Sequence, residues 1–177
     1  YTLSDVCSSD PPGFDTLACL EAARDGRMRV ALCLGGNLYG ASPDSAFARE
    51  ALARLDLLVH LSTKLNTGHV RGLAQETLIL PVLARDEEPQ PTTQESMFNY
   101  VRLSDGGPAR HAGPRSEVQV IATLAAGALC DAKQPIDWRA MADTGRIREA
   151  IAAVIPGFEK IATIDATREE FHVQGRL

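Results

Sequence analysis

The chain has 177 residues, of which 45% are hydrophobic and 23% charged, and its formal net charge is -5. This length and composition are typical of one globular domain and exclude an intrinsically disordered chain. The negative charge argues against nonspecific nucleic-acid binding, and apolar runs such as TLILPVLA are far shorter than the roughly 20 residues of a membrane span.

Four cysteines occur along the chain, and none forms a Cys-x-x-Cys pair or lies near a histidine cluster. This spacing predicts that the chain itself holds no zinc or iron–sulfur site. Cys33 falls within an apolar run, where a buried free thiol is expected. Reduced thiols are typical of the cytoplasm, which is the location we expect. The aperiodic start, YTLSDVCSSD, resembles translated adaptor sequence, so residues 1–12 are expected to be a non-native or disordered leader.

The first half of the chain alternates between predicted helices and strands. Apolar spacing predicts a helix over residues 14–24, and the continuous run RVALCLG predicts a fully buried strand of a parallel sheet. Ser42 as N-cap and Pro43 at the first helical position predict a second helix. The segments LLVHLS and TLILP predict two further strands, with a polar loop between them.

The second half begins with ARDEEPQPTTQES, a polar, proline-bearing segment that predicts a surface loop with Glu87 and Glu88 exposed. A strand is expected in MFNYVRL and a helix from Ser116 to Leu129. Asp137 and Thr144 are the predicted caps of two more helices. Strands that alternate with helices predict an α/β fold with a doubly wound, mostly parallel, Rossmann-like sheet.

Two glycines and an amide follow the first predicted strand, at the edge where open α/β sheets bind ligands. Gly35 and Gly36 allow a positive φ and a close approach of a ligand to the backbone. Asn37 offers one acceptor and two donors to a ligand. The spacing of GGNLYGA does not match the Gly-x-Gly-x-x-Gly dinucleotide fingerprint, and a tight turn without a ligand is the alternative interpretation.

The second predicted strand leads into a polar segment at the same edge. Its hydroxyls, amides and cations suit the recognition of phosphate and sugar groups. The alternative is a solvated loop, but parallel strands would bring this segment beside the glycine turn. His60 lies within the strand and is expected to be a satisfied core histidine. The candidate binding residues of this segment are Ser62, Thr63, Lys64 and Asn66.

The order of motifs along the chain resembles that of the molybdopterin-dependent oxidoreductases, in particular the formate dehydrogenase alpha subunit-like branch. The resemblance covers residues 27–168 and is carried by ALCLGGNLYGASPD, REALARLDLLVHLSTKLN, LILPVLAR, QESM and RSEVQVIATLA, in that order. It implies that the chain is an internal piece of a larger catalytic subunit. Residues 13–135 would then belong to the α/β domain, and residues 136–177 would form a helical extension leading to a further domain.

By this resemblance, the chain grips one arm of a bis(molybdopterin guanine dinucleotide) cofactor that carries molybdenum. Gly35, Gly36 and Asn37 inherit a binding role, and the STKLN residues a second one. Glu95 and Ser96 of QESM are expected near the pterin. The metal ligand and any 4Fe-4S cluster would belong to other parts of the parent, so no catalytic residue is assigned here and the piece alone is expected to be inactive.

The implied partners are the cofactor, a small-molecule redox substrate and the remaining domains of the parent chain, with neither nucleic acid nor membrane among them. Two departures from the family pattern affect the guanine contacts. His60-Leu61 stands where many relatives have Gln-Asp, and Thr77 stands where an Asp is common. A noncatalytic Rossmann-like nucleotide-binding or scaffold module is therefore the second hypothesis. A small NAD-dependent enzyme is disfavoured by the missing fingerprint.

Overall fold

The computed structural model describes residues 14–173, except residues 97, 132 and 134. The expected leader at residues 1–12 lies outside the described residues. The chain divides after Pro81 into two compact units, whereas the family-based division was expected at residue 135. Among the described residues, no helix has the length and apolar character needed to cross a bilayer. The fold is α/β, with one parallel and one antiparallel sheet.

The first unit contains three parallel strands in the order β1-β2-β3, connected through helices. The predicted alternation of strands and helices is confirmed here, and β2 occupies the residues that the LLVHLS run predicts. The elements are α1 (Thr16–Arg24), β1 (Val30–Leu34), α2 (Leu38–Ala41), α3 (Ser45–Leu52), β2 (Leu57–Ser62), α4 (Gly68–Arg71) and β3 (Glu76–Pro81).

The core of this unit lies on one face of the sheet. Helices α1 and α3 pack there against β2, and Leu55 and Leu58 are fully buried. The strand β1 was predicted to be buried on both faces, and this is wrong for the described residues. Alternate residues of β1 are exposed, and Leu34 is 56% exposed. The continuous apolar run indicates that both faces of the strand are suited to burial, whereas the described elements cover only one of them.

The second unit contains an antiparallel sheet in the order β4-β5-β6. The sheet of the whole chain was expected to be mostly parallel, and here it is not. Strand β4 lies within the segment that was predicted to be a surface loop. The sequence did not predict this strand, because its four polar residues show no alternation of apolar and polar side chains. The elements are β4 (Thr92–Glu95), β5 (Tyr100–Ser104), α5 (Glu117–Ala128), α6 (Thr144–Val154), α7 (Ile164–Thr167) and β6 (Phe171–His172), with 3-10 helices at Arg85–Glu87, Ala140–Ala142 and Glu159–Thr163.

Two helix caps differ from their predictions by one or two residues. Asp44, not Ser42, caps α3, and its carboxylate accepts a hydrogen bond from Phe47 N at 2.9 Å. The short helix α2 ends at Ala41, so Ser42 and Pro43 lie in the connection. Asp143, not Thr144, caps α6 and accepts from Gly145 N at 2.7 Å. In both cases the carboxylate of the residue just before the helix accepts a hydrogen bond from a backbone N–H of the first turn.

The acidic loop before β4 is not a stretch of exposed charges, as was predicted. Glu88 is only 6% exposed, and Glu87 accepts hydrogen bonds from Ala84 N and Arg110 N, each at 3.0 Å. Gly106 and Gly107 approach the backbone of this loop, and Gly107 N donates to Glu88 O at 3.1 Å. The loop is therefore held by contacts with residues about 20 positions later in the chain, and a local sequence pattern cannot predict such contacts.

Candidate functional site

The candidate site lies at the carboxyl ends of β1 and β2. The register pairs Leu34 with Leu61, and Gly35 N donates a hydrogen bond to Leu61 O at 2.8 Å. The turn after β1 (residues 35–37) therefore starts beside the turn after β2 (residues 62–68). We call these two turns together the strand-end cradle. Their juxtaposition was predicted from the parallel arrangement, and the structure confirms it.

The first turn depends on two consecutive left-handed residues, Gly35 at φ +67° and Gly36 at φ +69°. A side chain at φ in this region costs about 1–2 kcal/mol, which glycine avoids. No heavy atom lies within 4 Å of the position that a Cβ would take at either glycine. Conformation, not crowding, therefore requires glycine here, and the space in front of this backbone is open.

The second turn is held by its own side chains. The Ser62 hydroxyl is largely buried and donates to Lys64 O at 2.7 Å. Asn66 Oδ1 accepts a hydrogen bond from Gly68 N at 2.9 Å, while Asn66 N donates to His69 Nδ1 at 3.0 Å. These contacts close a compact loop between β2 and α4 and leave Thr63 and Lys64 exposed at its tip.

Two asparagine side chains connect the turns to each other. Asn37 Nδ2 donates to Thr67 Oγ1 at 2.9 Å, and Asn66 Nδ2 donates to Gly36 O at 2.9 Å. Asn37 Oδ1 also accepts from Gly40 N at 2.8 Å and so caps α2. A Cβ on Gly68 would lie only 2.6 Å from Asn37 Oδ1, so the turns approach closely there.

These contacts show that the amides of both asparagines hold the cradle together. Asn37 was predicted to offer its donors and acceptor to a ligand, whereas all four side-chain amide atoms of Asn37 and Asn66 form hydrogen bonds within the protein. The groups open to a ligand are the backbone of Gly35 and Gly36 and the side chains of Thr63 and Lys64. The binding roles of all these residues stay predictions.

The sequence placed Thr67 and His69 in the polar segment suited to phosphate and sugar recognition without choosing them as binding residues, and it assigned no role to Gly68. The signal that could have found Gly68 is the Asn-Thr-Gly tripeptide at residues 66–68, shortly after the strand, because such residues build side-chain-supported turns. Their partners in the first turn lie about 30 residues earlier, and that pairing follows only from the sheet.

Beneath the second turn, two buried histidines meet edge to face. The rings of His60 and His69 are 4.6 Å apart at an interplanar angle of 80°. Burial, followed by the proximity of His69, lowers the pKa of His60. His60 was predicted to be a satisfied core histidine. It is buried, but its Nε2 has no hydrogen-bond partner among the described residues, so the second half of that prediction is wrong.

Glu95 and Ser96 lie in the second unit, at the hairpin that joins β4 to β5. Glu95 is the last residue of β4 and is exposed, and Ser96 N donates to Tyr100 O at 2.9 Å. Asn99 completes this turn at φ +56°. The expectation that both residues approach a pterin stays a prediction.

Metal-binding groups are sparse in the part of the chain that the structure describes. No three His, Cys, Asp or Glu side chains there are grouped so that they could hold a metal ion. Cys19, Cys33 and Cys130 are free thiols, and burial raises the pKa of Cys33. Cys33 was expected to be buried and is half-buried. Its side chain faces the helical core, but β1 is the outer strand of the parallel sheet.

The chain is similar to segments of larger curated proteins. It is 43% identical over 163 residues to an uncharacterized oxidoreductase of Mycobacterium tuberculosis and to its counterpart in Mycobacterium bovis, a match that covers 86% of this chain and 20% of each relative. It is 36% identical over 156 residues to Protein YdeP of Escherichia coli, covering 83% of this chain and 20% of that protein. No protein-family model matches. The chain therefore spans about a fifth of the length of these relatives.

Proposed function

We propose that this chain is the cofactor-gripping segment of a molybdopterin-dependent oxidoreductase of the formate dehydrogenase-like kind. The observation that carries the proposal is the strand-end cradle, in which two amide bridges join two turns at the carboxyl edge of a parallel sheet. The ordered motifs support it, and so does the similarity to a protein named as an oxidoreductase. The proposal extends to a doubly wound sheet in the complete domain.

The cradle residues fit one guanine dinucleotide arm of the cofactor. Gly35 and Gly36 present unobstructed backbone, to which a phosphorylated ligand can approach closely. Lys64 supplies a cation and Thr63 a hydroxyl to phosphate oxygens. Asn37 and Asn66 set the distance between the two turns and act as positioning residues. The bound cofactor supplies a metal centre for two-electron transfer, while these residues bind and orient one of its arms.

The parent protein would bring the remaining components. In a polypeptide as long as the relatives, the other four-fifths would supply the metal ligand, hold any 4Fe-4S cluster and bind the small-molecule redox substrate. We assign no catalytic residue to this segment and expect no turnover from it alone. Glu95 and Ser96 keep their proposed place near the pterin as part of the same hypothesis.

Metal and nucleotide content of the full-length polypeptide test the proposal. We expect molybdenum and releasable guanine nucleotide in near-stoichiometric amounts after expression in a molybdenum-replete host. Gly36→Ala should reduce both, whereas Gly26→Ala should not. Gly26 is a matched control because it is also left-handed, at φ +73°, and also has open space at the Cβ position. A folded wild-type protein that contains neither metal nor pterin would exclude this function.

The same experiment should include the exposed lysine of the cradle. Lys64→Gln removes the cation without straining the backbone, and Lys160→Gln removes an exposed lysine from the second unit. We expect weaker cofactor retention only for Lys64→Gln. Equal retention in the two variants would remove Lys64 from the proposed site.

A noncatalytic nucleotide-binding or scaffold module is the second candidate function. The internal hydrogen bonds of Asn37 and Asn66 favour it, because a turn that satisfies its own amides can be stable without a ligand. Calorimetry on the full-length polypeptide with guanine dinucleotide distinguishes a nucleotide-binding site from a scaffold, and the metal and pterin content distinguishes the oxidoreductase from a noncatalytic nucleotide-binding module. Binding heat supports the nucleotide site, and its absence in a folded protein supports the scaffold.

A further inference from the structure

One face of the parallel sheet in the first unit carries aliphatic side chains that the described residues leave largely uncovered. Successive residues of a strand point to opposite faces, and residues paired in register share a face. We call the following set the open face: Val30, Leu32 and Leu34 of β1, Leu57, Val59 and Leu61 of β2, and Glu76, Leu78 and Leu80 of β3. Eight of its nine members are aliphatic, and the one charged residue, Glu76, lies at its rim.

The two outer strands of this face are exposed to solvent. Val30 is 58% exposed, Leu32 46% and Leu78 49%, whereas Leu61, near the carboxyl end of the central strand, is fully buried. The opposite face differs sharply, because Ala31 and Cys33 pack there against the helical core that contains Leu58. Strand β1 is thus built from residues suited to burial on both sides, and the described elements cover mainly the side that faces the helices, although Ile79 of β3 on that side is also 38% exposed.

A surface of this composition is unusual for a parallel sheet. Parallel sheets have helices on both faces in nearly all known folds, since their crossover connections run over the faces. A contiguous aliphatic surface without interspersed charge is typical of an interface with protein. The open face has no lysine or arginine among its nine members, so it does not have the character of a solvated sheet surface.

We propose that the open face is covered by an amphipathic helix from another segment of the same, longer polypeptide. The lengths of the relatives support this occupant, because the matched segment is only 20% of each relative. A second copy of the chain is disfavoured, since it would stack two parallel sheets directly on each other, an arrangement that parallel sheets avoid. The helix would present Leu, Ile, Val or Ala at helical spacing toward β1 and β3. This inference deepens the doubly wound sheet of the proposed function and does not depend on the cofactor.

Thiol labelling of the full-length polypeptide tests whether the face is covered. In Leu32→Cys and Leu78→Cys, the labelling rate of the new thiol by a maleimide is compared under native and denaturing conditions, peptide by peptide, with mass spectrometry. We expect native labelling to be on the order of 100-fold slower or more at both sites, as in a buried layer. A smaller protection at either site overturns the proposal. Leu17→Cys, on α1, is the matched control because Leu17 is 57% exposed outside the open face.

Photo-crosslinking identifies the occupant. With p-benzoylphenylalanine in place of Leu32, we expect an intramolecular cross-link to a peptide outside residues 1–177 in the monomeric protein. A cross-link within residues 1–177, to a second copy or to another protein overturns the proposal, as does the absence of any cross-link. Loss of cofactor with the cross-link retained would reject only the proposed function, so the two hypotheses fail separately.

Discussion

The side-chain amide of Asn37 donates a hydrogen bond to the hydroxyl of Thr67, 30 residues later, at 2.9 Å. This contact joins the ends of two parallel strands, and the amide of Asn66 makes a second connection to Gly36 O. Hydrogen bonds between side chains and other groups of the same chain therefore hold the two turns of the candidate site together. The consequences of these contacts can be measured without knowing the ligand.

A double-mutant cycle on Asn37 and Thr67 should reveal their coupling. Asn37→Ala removes the amide that bonds Thr67 and caps α2, so we expect a loss of about 1–2 kcal/mol in the free energy of unfolding. Thr67→Val removes only the hydroxyl. The two effects should be non-additive by about 0.5–1.5 kcal/mol in urea unfolding. Additivity within error would show that this hydrogen bond does not stabilise the cradle.

Gly68→Ala should destabilise the first unit through steric conflict. The new Cβ would lie 2.6 Å from Asn37 Oδ1 and 3.0 Å from Asn66 Oδ1, so both amides must shift. We expect a loss of about 1–3 kcal/mol in urea unfolding. Gly127→Ala, within α5, is the control because nothing lies within 4 Å of its Cβ position, and helix propensity predicts a gain of up to about 1 kcal/mol. Similar losses in both variants would contradict the steric argument.

The histidine pair should make the first unit sensitive to acid. The pKa of His60 is lowered in the folded state, chiefly by burial and then by His69. The unfolded chain therefore binds a proton near the ordinary pKa of about 6.5, before the folded chain does. The contribution of His60 is complete above this pH and is lost as the pH falls from there toward the lowered folded pKa.

His60→Leu should flatten this part of the pH profile, with a change in slope of at most about 1.4 kcal/mol per pH unit. Urea unfolding between pH 7.5 and pH 5 measures the slope. His111→Gln serves as the control, because His111 is exposed and lies in the second unit. If the profile of His60→Leu retained the full wild-type slope, the acid sensitivity would have another origin.

In the second unit, Arg148 should contribute far more to stability than its neighbour Arg146. Arg148 is 3% exposed, donates to Pro91 O at 2.9 Å and pairs with Asp165 at 2.6 Å. Asp165 is 36% exposed, so water partly compensates it when the arginine is lost. We expect Arg148→Met to cost about 2–4 kcal/mol, which allows for that compensation.

Arg146→Met is the matched control on the same helix. Arg146 forms an exposed pair with Glu149 at 2.8 Å, and such pairs contribute little to stability because water and salt screen the two charges. Thermal unfolding of both variants gives the comparison. Equal effects would mean that the buried position of Arg148 has no energetic consequence.

The sequence alone determined the elements whose signals are local. The apolar run at Leu57–Ser62 predicted β2 to the residue, and Ser116 was correctly placed at the start of α5, which it caps. The meeting of the two strand ends also followed from sequence, because parallel strands with helical connections end at one edge. Hydrophobic runs and helix caps depend on neighbours within a few residues, so the amino-acid sequence is enough to predict them.

Only the tertiary structure decided which contacts these elements make. The amides of Asn37 and Asn66 bond across 30 residues, and the carbonyl of the buried Glu88 accepts a hydrogen bond from Gly107 N. Strand β4 is polar and short, so its pairing with β5 defines it. The apolar sequence of β1 indicates that both faces can be buried, but the elements that pack against the strand determine which face is covered. Such pairings join residues far apart in the chain, and no local pattern specifies them.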